Sequence, residues 1–427
     1  MHVRLKTRLE TKKRHSGMRC RVIEIKIDRS HLSKQDSKHM ARLFDEARWF
    51  YNHCVEGASD LNAVDCKATT VQVKTPDGFE GRDLIALSSQ MRQGIKDRMW
   101  TNLKSLSTQK KQGTKVGWIR FTSVLDSVPL KQFGFTFNVY PETNRIRLQS
   151  LKKRLRVSGL EQIKPGSEVG NAHLVRRDGD YFLKVTTFEP RPNVRPPNEI
   201  IGIDLGCETP VTLSNGVKVQ YAVPVSKRTR KLDHIVARKR RDLPKKSKKT
   251  KKRLKAERAR RKSLAREANK RRDIRDKIVH ALVAKHAFVA FQTESVHWMQ
   301  ASGHGKKIAQ TGIGGIISDL RSRSETPLEV ERFYASSQTC SRCGARQKMP
   351  QDVRVYDCPH CGLSLDRDIN AAKNMLAEGL KQIPAERRDP MPREGEASSV
   401  AGMLSLIPGV HAKLSPANGE AVAFRRR

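Results

Sequence analysis

Residues 340–374 read Cys340-Ser-Arg-Cys343, then fourteen residues, then Cys358-Pro-His-Cys361-Gly-Leu-Ser-Leu-Asp366-Arg-Asp368-Ile-Asn370-Ala-Ala-Lys-Asn374. Four thiols in two Cys-x-x-Cys knuckles are the donor set of one tetrahedral zinc ion, because each two-residue gap lets a tight turn aim both sulfurs at a common point. Gly344 and Gly362 follow the knuckles, where the backbone bends around the metal. Taken alone, the cysteines define a zinc ribbon that holds its own local fold. Directly downstream, Asp366 and Asp368 open an expected helix with Ile369, Ala371, Ala372 and Met375 as its apolar residues. A zinc staple leading into an acidic helix start suggests a scaffolded, metal-dependent site.

The chain has 427 residues, enough for two to four domains. Its 85 Lys+Arg against 44 Asp+Glu give a formal charge of +41, a field that points to a polyanionic partner such as nucleic acid. A membrane surface is the rival polyanion. No run approaches the ~18 apolar residues of a spanning helix, and the N-terminus lacks an apolar signal core, so no membrane partner is expected. The expected location is the cytoplasm. Eight cysteines are too few for a disulfide scaffold; Cys20, Cys54, Cys66 and Cys207 are scattered and read as inert thiols of a reducing compartment.

Outward from the ribbon, the chain changes character several times. Met18–Ile27 alternates as a strand. Residues 32–110 read helical, with Asp36 as the expected cap of a helix carrying Met40, Leu43, Phe44 and Trp49-Phe-Tyr51. A second helix is expected over 87–106, with a loop at Pro76-Asp-Gly78 between the two. Residues 115–190 switch to short strands: Phe133, Phe135, Phe137 and Val139 alternate with polar residues or glycine, and Asp178-Gly179 signals a hairpin. A small β-barrel is the economical solution. Pro190, Pro192, Pro196 and Pro197 mark a linker.

From Glu199 a buried strand, Ile200 to Asp204, begins an expected meander with 211–213 and 217–221. Residues 227–277 then hold 26 Lys/Arg against 6 Asp/Glu, a net +20. Pro244 splits this segment into two expected helices. A solvated face or a localisation tag would need far less charge, so Lys245, Lys246, Lys248, Lys249, Lys251, Lys252 and Arg253 are expected to bind nucleic acid. The tail after Gly379, rich in Pro, Glu, Ala, Gly and Ser, reads as disordered.

Three carboxylates sit at the ends of rigid elements: Asp204 ends a strand, Glu294 follows one, and Asp368 opens a helix. Converging, they offer oxygen ligands to two Mg²⁺ ions, the arrangement for in-line phosphodiester cleavage. Ile-Gly-Ile-Asp204-Leu-Gly, Phe-Gln292-Thr-Glu294, the double Cys-x-x-Cys and Asp366-Arg-Asp368-Ile-Asn-Ala-Ala, in that order, resemble TnpB, the RNA-guided nuclease of insertion sequences and relative of compact type V CRISPR effectors. The similarity is strongest over 199–378. Earlier it rests on domain order and on Trp49-Phe-Tyr-Asn52, which resembles the family's first recognition helix.

The resemblance implies a multidomain α+β protein: a RuvC/RNase H-like α/β nuclease domain with an inserted zinc ribbon, an OB-like β-barrel wedge domain and a helical recognition lobe. On it the chain divides into a first wedge segment (1–31), a helical recognition domain (32–112) and the wedge barrel (113–198). A RuvC-like domain (199–336) follows, carrying the basic segment 227–277. The zinc ribbon (337–363), which binds target nucleic acid, precedes the last RuvC motif (364–378) and a disordered tail (379–427). The partners it implies are a guide RNA, from a transposon or a CRISPR array, and target DNA, in a prokaryotic, nucleoid-associated setting.

Many relatives place the second glutamate directly after the strand, at the position of Gln292. Residues 292 and 294 share a face if the strand continues, so the catalytic role is assigned to Glu294. Asp368 is preferred to Asp366 because it matches the Asp-x-Asn-Ala-Ala register. The competing readings are an RNA-guided DNA binder with a disabled site and a RuvC-type nuclease that needs no guide.

Overall fold

The computed structural model describes residues 2–75, 78–190, 199–241, 250–293, 305–350, 352–384 and 396–415. The chain divides into two units, Met1–Pro192 and Asn193–Arg427. The division falls at the proline-rich stretch expected to be a linker; its residues 191–198 lie outside the described set.

In the first unit α1 (His2–Ser16) leads into β1 (Met18–Ile27), followed by α2 (Lys34–Glu56), the hairpin β2 (Thr70–Thr75) and β3 (Gly78–Asp83), and α3 (Ser89–Lys111). Then come β4 (Ser127–Leu130), β5 (Phe137–Tyr140), β6 (Arg145–Leu148), β7 (Leu155–Ser158), β8 (Glu168–Arg177) and β9 (Asp180–Pro190). Seven of these strands form one antiparallel sheet in the order β4-β8-β9-β1-β7-β6-β5, a near-barrel. Asp178 and Gly179 turn the β8–β9 hairpin with φ of 51° and 81°, the left-handed pair that an Asp-Gly turn supplies. Ile23, Ile25 and Ile27 from β1 pack in one core with Met40, Leu43 and Phe44 of α2 and Met91, Ile95 and Met99 of α3.

Three local expectations differ from the structure. The cap of α2 is Ser33, whose side chain accepts the Asp36 N–H; Asp36 sits inside the first turn, favourable there for its charge rather than as the cap. Within the stretch read as helical, Thr70–Thr75 and Gly78–Asp83 pair as the β2–β3 hairpin; the expected loop at Pro76-Asp-Gly78 falls between these strands, with 76–77 outside the described residues. In the Phe133–Val139 run the regular strand starts at Phe137, with Phe133 joined to it by a single bridge; Gly134 takes φ of 86° and turns the chain, and Phe133 and Phe135 are exposed.

The second unit opens with the meander β10 (Ile200–Asp204), β11 (Val211–Leu213) and β12 (Val217–Tyr221). It continues through α4 (Lys227–Arg241), α5 (Lys251–Lys285), β13 (Phe288–Gln292), α6 (Gly305–Thr311), α7 (Ile313–Arg323) and β14 (Thr326–Val330). The ribbon hairpin β15 (Val355–Asp357) and β16 (Ser364–Asp366) runs into α8 (Arg367–Lys381), and α9 (Glu396–Ser405) and β17 (Val410–Leu414) close the unit.

Its sheet has the order β14-β13-β10-β11-β12-β17. β10 pairs antiparallel with β11 and β11 with β12, whereas β13 and β14 run parallel to β10. In chain order that is 3-2-1-4-5 plus one added strand, the RNase H-like arrangement. Ile201, Ile203, Val289 and Phe291 face a core with Ile278 and Leu282 of α5 and Ile316 and Leu320 of α7. The alternate residues Ile200, Ala290 and Leu328 face α8 through Leu376, Leu380 and Ile383.

The expected disordered tail is a correction. Part of 379–427 finishes α8, and 396–415 form α9 and β17, which pairs with β12 from Val217↔Leu414 to Tyr221↔Val410. Val400, Leu404 and Val410 are buried in the sheet's core, so a few apolar residues at helical and strand spacing outweigh the polar composition around them. Residues 385–395 and 416–427 lie outside the described set. Among the described residues no helix is long and apolar enough to cross a membrane.

Candidate metal centre and nuclease edge

The ribbon is built locally. Cys340 and Cys343 lie on one knuckle, Cys358 and Cys361 on the other, and all four sulfurs lie within 4.8 Å of one another. The Sγ separations Cys340–Cys361 and Cys343–Cys358 are both 3.6 Å. Tetrahedral Zn–S bonds of ~2.3 Å require S···S of about 3.8 Å, so the thiols fit one zinc ion. Each knuckle is closed by backbone bonds, Gly344 N–H to Cys340 O at 2.9 Å and Gly362 N–H to Cys358 O at 3.0 Å. Gly344 and Gly362 take φ of 76° and 68°, which a side chain would strain. Desolvation opposes ionisation of Cys358, but the N–H groups of Cys361 and His360, together with the neighbouring Cys340 and Cys343 thiols, bring the thiol down to about 6. Zinc held there would supply structural cross-linking of the two knuckles.

The ribbon is also tied to α8. Asn370 accepts the Ser341 N–H at 2.9 Å and donates to Thr339 O at 2.7 Å. Asn374 donates to Ser336 O at 2.8 Å and Thr339 O at 2.6 Å. Both asparagines are buried, so these bonds fasten the first knuckle to the helix that carries Asp368. Asn370 sits in the helix-opening motif that marks the sequence; Asn374 carries no sequence signal beyond sitting one turn on.

Asp204 and Asp368 reach a common edge through the packing of α8 on β10. A Cβ on Gly202 would collide with the Ala372 carbonyl and come within 2.6 Å of the Leu376 N–H nitrogen, so only glycine lets the helix lie this close. Ile200, at the start of β10, packs beside Leu376, Leu380 and Ile383 near the helix C-terminus. The helix therefore runs antiparallel to β10, which brings its N-terminus and Asp368 to the end of the strand where Asp204 sits. β13 is parallel to β10 with Ile203 opposite Phe291, so Gln292 and Thr293 lie at the same end of the sheet as Asp204. Glu294 itself lies outside the described residues.

The register extends the edge sideways. Asp204 is opposite Thr212, and Thr212 opposite Lys218, so all three side chains share the face that α8 covers. The Lys218 ammonium lies 2.5 Å from Asp366 Oδ2 and 3.7 Å from Asp368 Oδ2. Asp366 uses its other oxygen as the cap of α8, accepting the N–H groups of Asp368 at 3.0 Å and Ile369 at 3.2 Å. Both Asp366 oxygens are thus engaged, one by Lys218 and one by the helix start. The Thr212 hydroxyl is buried and finds no hydrogen-bond partner among the described residues. Carboxylate oxygens beside an unpaired buried hydroxyl fit a hard, oxygen-seeking divalent cation.

Gln292 is occupied elsewhere. Its amide donates to the carbonyls of Glu331, Arg332 and Tyr334 at 2.9, 2.9 and 2.8 Å, bracing the loop after β14. Sequence reasoning misses these roles of Lys218 and Gln292 because their partners are 148 and about 40 positions away.

Of the expected nucleic-acid residues, Lys251 and Lys252 are exposed at the start of α5. Arg253 is mostly buried and pairs with Glu257 at 2.9 Å. Lys245, Lys246, Lys248 and Lys249 lie outside the described residues. α4 and α5 pack together through Thr229, whose hydroxyl meets Ser263 at 2.7 Å and Glu267 at 2.6 Å, and through an Arg260–Asp233 ion pair.

The fold and its two sites define an RNase H-like scaffold with a four-cysteine ribbon set into it. Residues 182–299 match the family described as a probable transposase (OrfB_IS605), and residues 320–375 match the Cas12f1-like TNB domain. A putative RNA-guided DNA endonuclease of Streptomyces pristinaespiralis is 32% identical over 216 residues, 48% of this chain and 51% of that protein. A TnpB-like protein of Acanthamoeba polyphaga mimivirus is 26% identical over 245 residues, 52% of this chain and 46% of its own length. The chain thus spans about half the length of these curated relatives. Among solved structures, a Cas12f1–sgRNA–target DNA complex aligns with a TM-score of 0.44 at 15% identity, covering 80% of this chain and 83% of that one. The TnpB resemblance carried by the motifs is borne out by the two family matches and the curated relatives.

Proposed function

We propose that the protein is an RNA-guided DNA endonuclease that cuts phosphodiester bonds at the edge formed by Asp204 and Asp368. The observation that supports this most is the topological one: antiparallel packing of α8 on β10, permitted by Gly202, brings two aspartates 164 positions apart toward one edge. Glu294 is assigned as the third carboxylate. A bound Mg²⁺ pair would activate water and stabilise the leaving oxygen.

Within that reading Asp204, Glu294 and Asp368 hold the ions. Asp366 and Lys218 fix the start of α8, and the zinc ribbon holds the same helix through Asn370 and Asn374. Exposed lysines such as Lys251 and Lys252 meet phosphates of the guide RNA or the RNA–DNA duplex without reading sequence. Because Gln292 braces a loop, Gln292→Ala leaves cutting far closer to wild type than Glu294→Ala.

The test is to purify the full chain, sequence the RNA that accompanies it, and present DNA matching that RNA with Mg²⁺. Guided cutting is expected. Guided binding without cutting in Mg²⁺ or Mn²⁺ favours the disabled binder, and cutting that ignores the RNA favours a guide-independent nuclease.

A further inference from the structure

Lys218, which fixes the start of α8 through Asp366, also lies beside Asp368. It lies on β12, in the cross-strand row Asp204–Thr212–Lys218, on the face covered by α8. Its ammonium sits 2.5 Å from Asp366 Oδ2 and 3.7 Å from Asp368 Oδ2, with only about a fifth of each of the Lys218 and Asp368 side chains exposed. On its far side, β17 places Lys413 directly opposite. Like charges directly opposite one another repel, so Lys413 favours the Lys218 position nearer the carboxylates. β17 belongs to neither family-matched segment, 182–299 or 320–375.

We propose that Lys218 is a positioning residue that sets the divalent-metal affinity of the Asp204–Asp368 edge, a reading that rests on that edge being the metal site. A fixed ammonium this close to Asp368 has two effects. It holds the Asp368 carboxylate toward β12, and it opposes any cation that the same carboxylate binds. In a partly buried site that opposition is weakly screened. The edge therefore takes divalent ions loosely on its own and fills fully only when the phosphates of a bound strand add ligands and negative charge. Metal loading, and with it cutting, is thereby tied to the presence of substrate.

The experiment is Mn²⁺ binding to the full chain without target DNA, read by electron paramagnetic resonance and by calorimetry. Lys218→Met is expected to bind Mn²⁺ at least about tenfold more tightly than wild type, at a site that Asp368→Ala removes, while its melting temperature stays level or falls. Lys218→Arg, which keeps the charge, is expected to bind close to wild type. A purely structural lysine would lower stability without tightening the metal. If Lys218→Met does not fold, Lys218→Gln is read in the same assay. Equal or weaker Mn²⁺ binding by the folded variant overturns the proposal while leaving the metal site standing. A wild-type chain with no Mn²⁺ site sensitive to Asp204→Ala or Asp368→Ala overturns both.

Discussion

The zinc ribbon and the carboxylate edge are both built around groups suited to metals, and they are assembled in opposite ways. The ribbon draws its four sulfurs from 22 consecutive positions, and each knuckle closes through hydrogen bonds four residues long. The edge draws Asp204 and Asp368 from positions 164 residues apart and brings them together only because strand register and one glycine permit it. A local site tolerates changes elsewhere in the fold; a topological site inherits every error in packing. The two are joined by Asn370 and Asn374, so the robust site braces the fragile one.

That contrast can be broken most sharply at the carboxylates. Asp204→Ala and Asp368→Ala are each expected to lower guided cutting by roughly a thousandfold or more while leaving guided DNA binding largely intact, because affinity comes from phosphates and base pairing. Single-turnover cleavage beside filter binding separates the two quantities. Loss of both together would mean that the aspartates hold the fold.

The next effect tests the brace. Cys358→Ser is expected to reduce zinc from one ion per chain to a small fraction by elemental analysis, and to slow cutting about tenfold or more through the loosened start of α8. Normal cutting by zinc-free protein would uncouple the two sites.

Packing comes third. Gly202→Ala is expected to cost about 3 kcal/mol by denaturant unfolding, since the new methyl meets helix backbone that can yield only by moving α8. The smallest effect is in the basic helix. Replacing Lys251 and Lys252 together by alanine should lower the log–log salt slope of nucleic-acid binding by about one for each phosphate no longer neutralised. An unchanged slope would make them ordinary solvent-facing lysines.

The ribbon is legible in the sequence because zinc chemistry constrains residues that are neighbours in the chain. The strands β10, β11 and β12 are legible for a similar reason: each is a short apolar or alternating run with its own turn. The division of labour between Asp366 and Asp368 is legible only as a register match, whereas its physical cause, the cap and the Lys218 pair, depends on a strand 148 positions away. The sixth strand escapes a sequence reading because 379–427 is polar on average, and its few apolar residues matter only once a sheet edge is there to receive them. The Arg253–Glu257 pair is invisible in the basic run for the converse reason: a cation there looks like its neighbours until a carboxylate one turn away meets it.

The most direct test of the central claim is anomalous diffraction at the manganese edge from crystals of the protein with its guide RNA and a matched, uncleavable target. The account predicts manganese against carboxylate oxygens of both Asp204 and Asp368, with Asp366 still capping α8 and paired with Lys218. Manganese bound by Asp366 with Asp368 turned away, or bound nowhere along this edge, would contradict it.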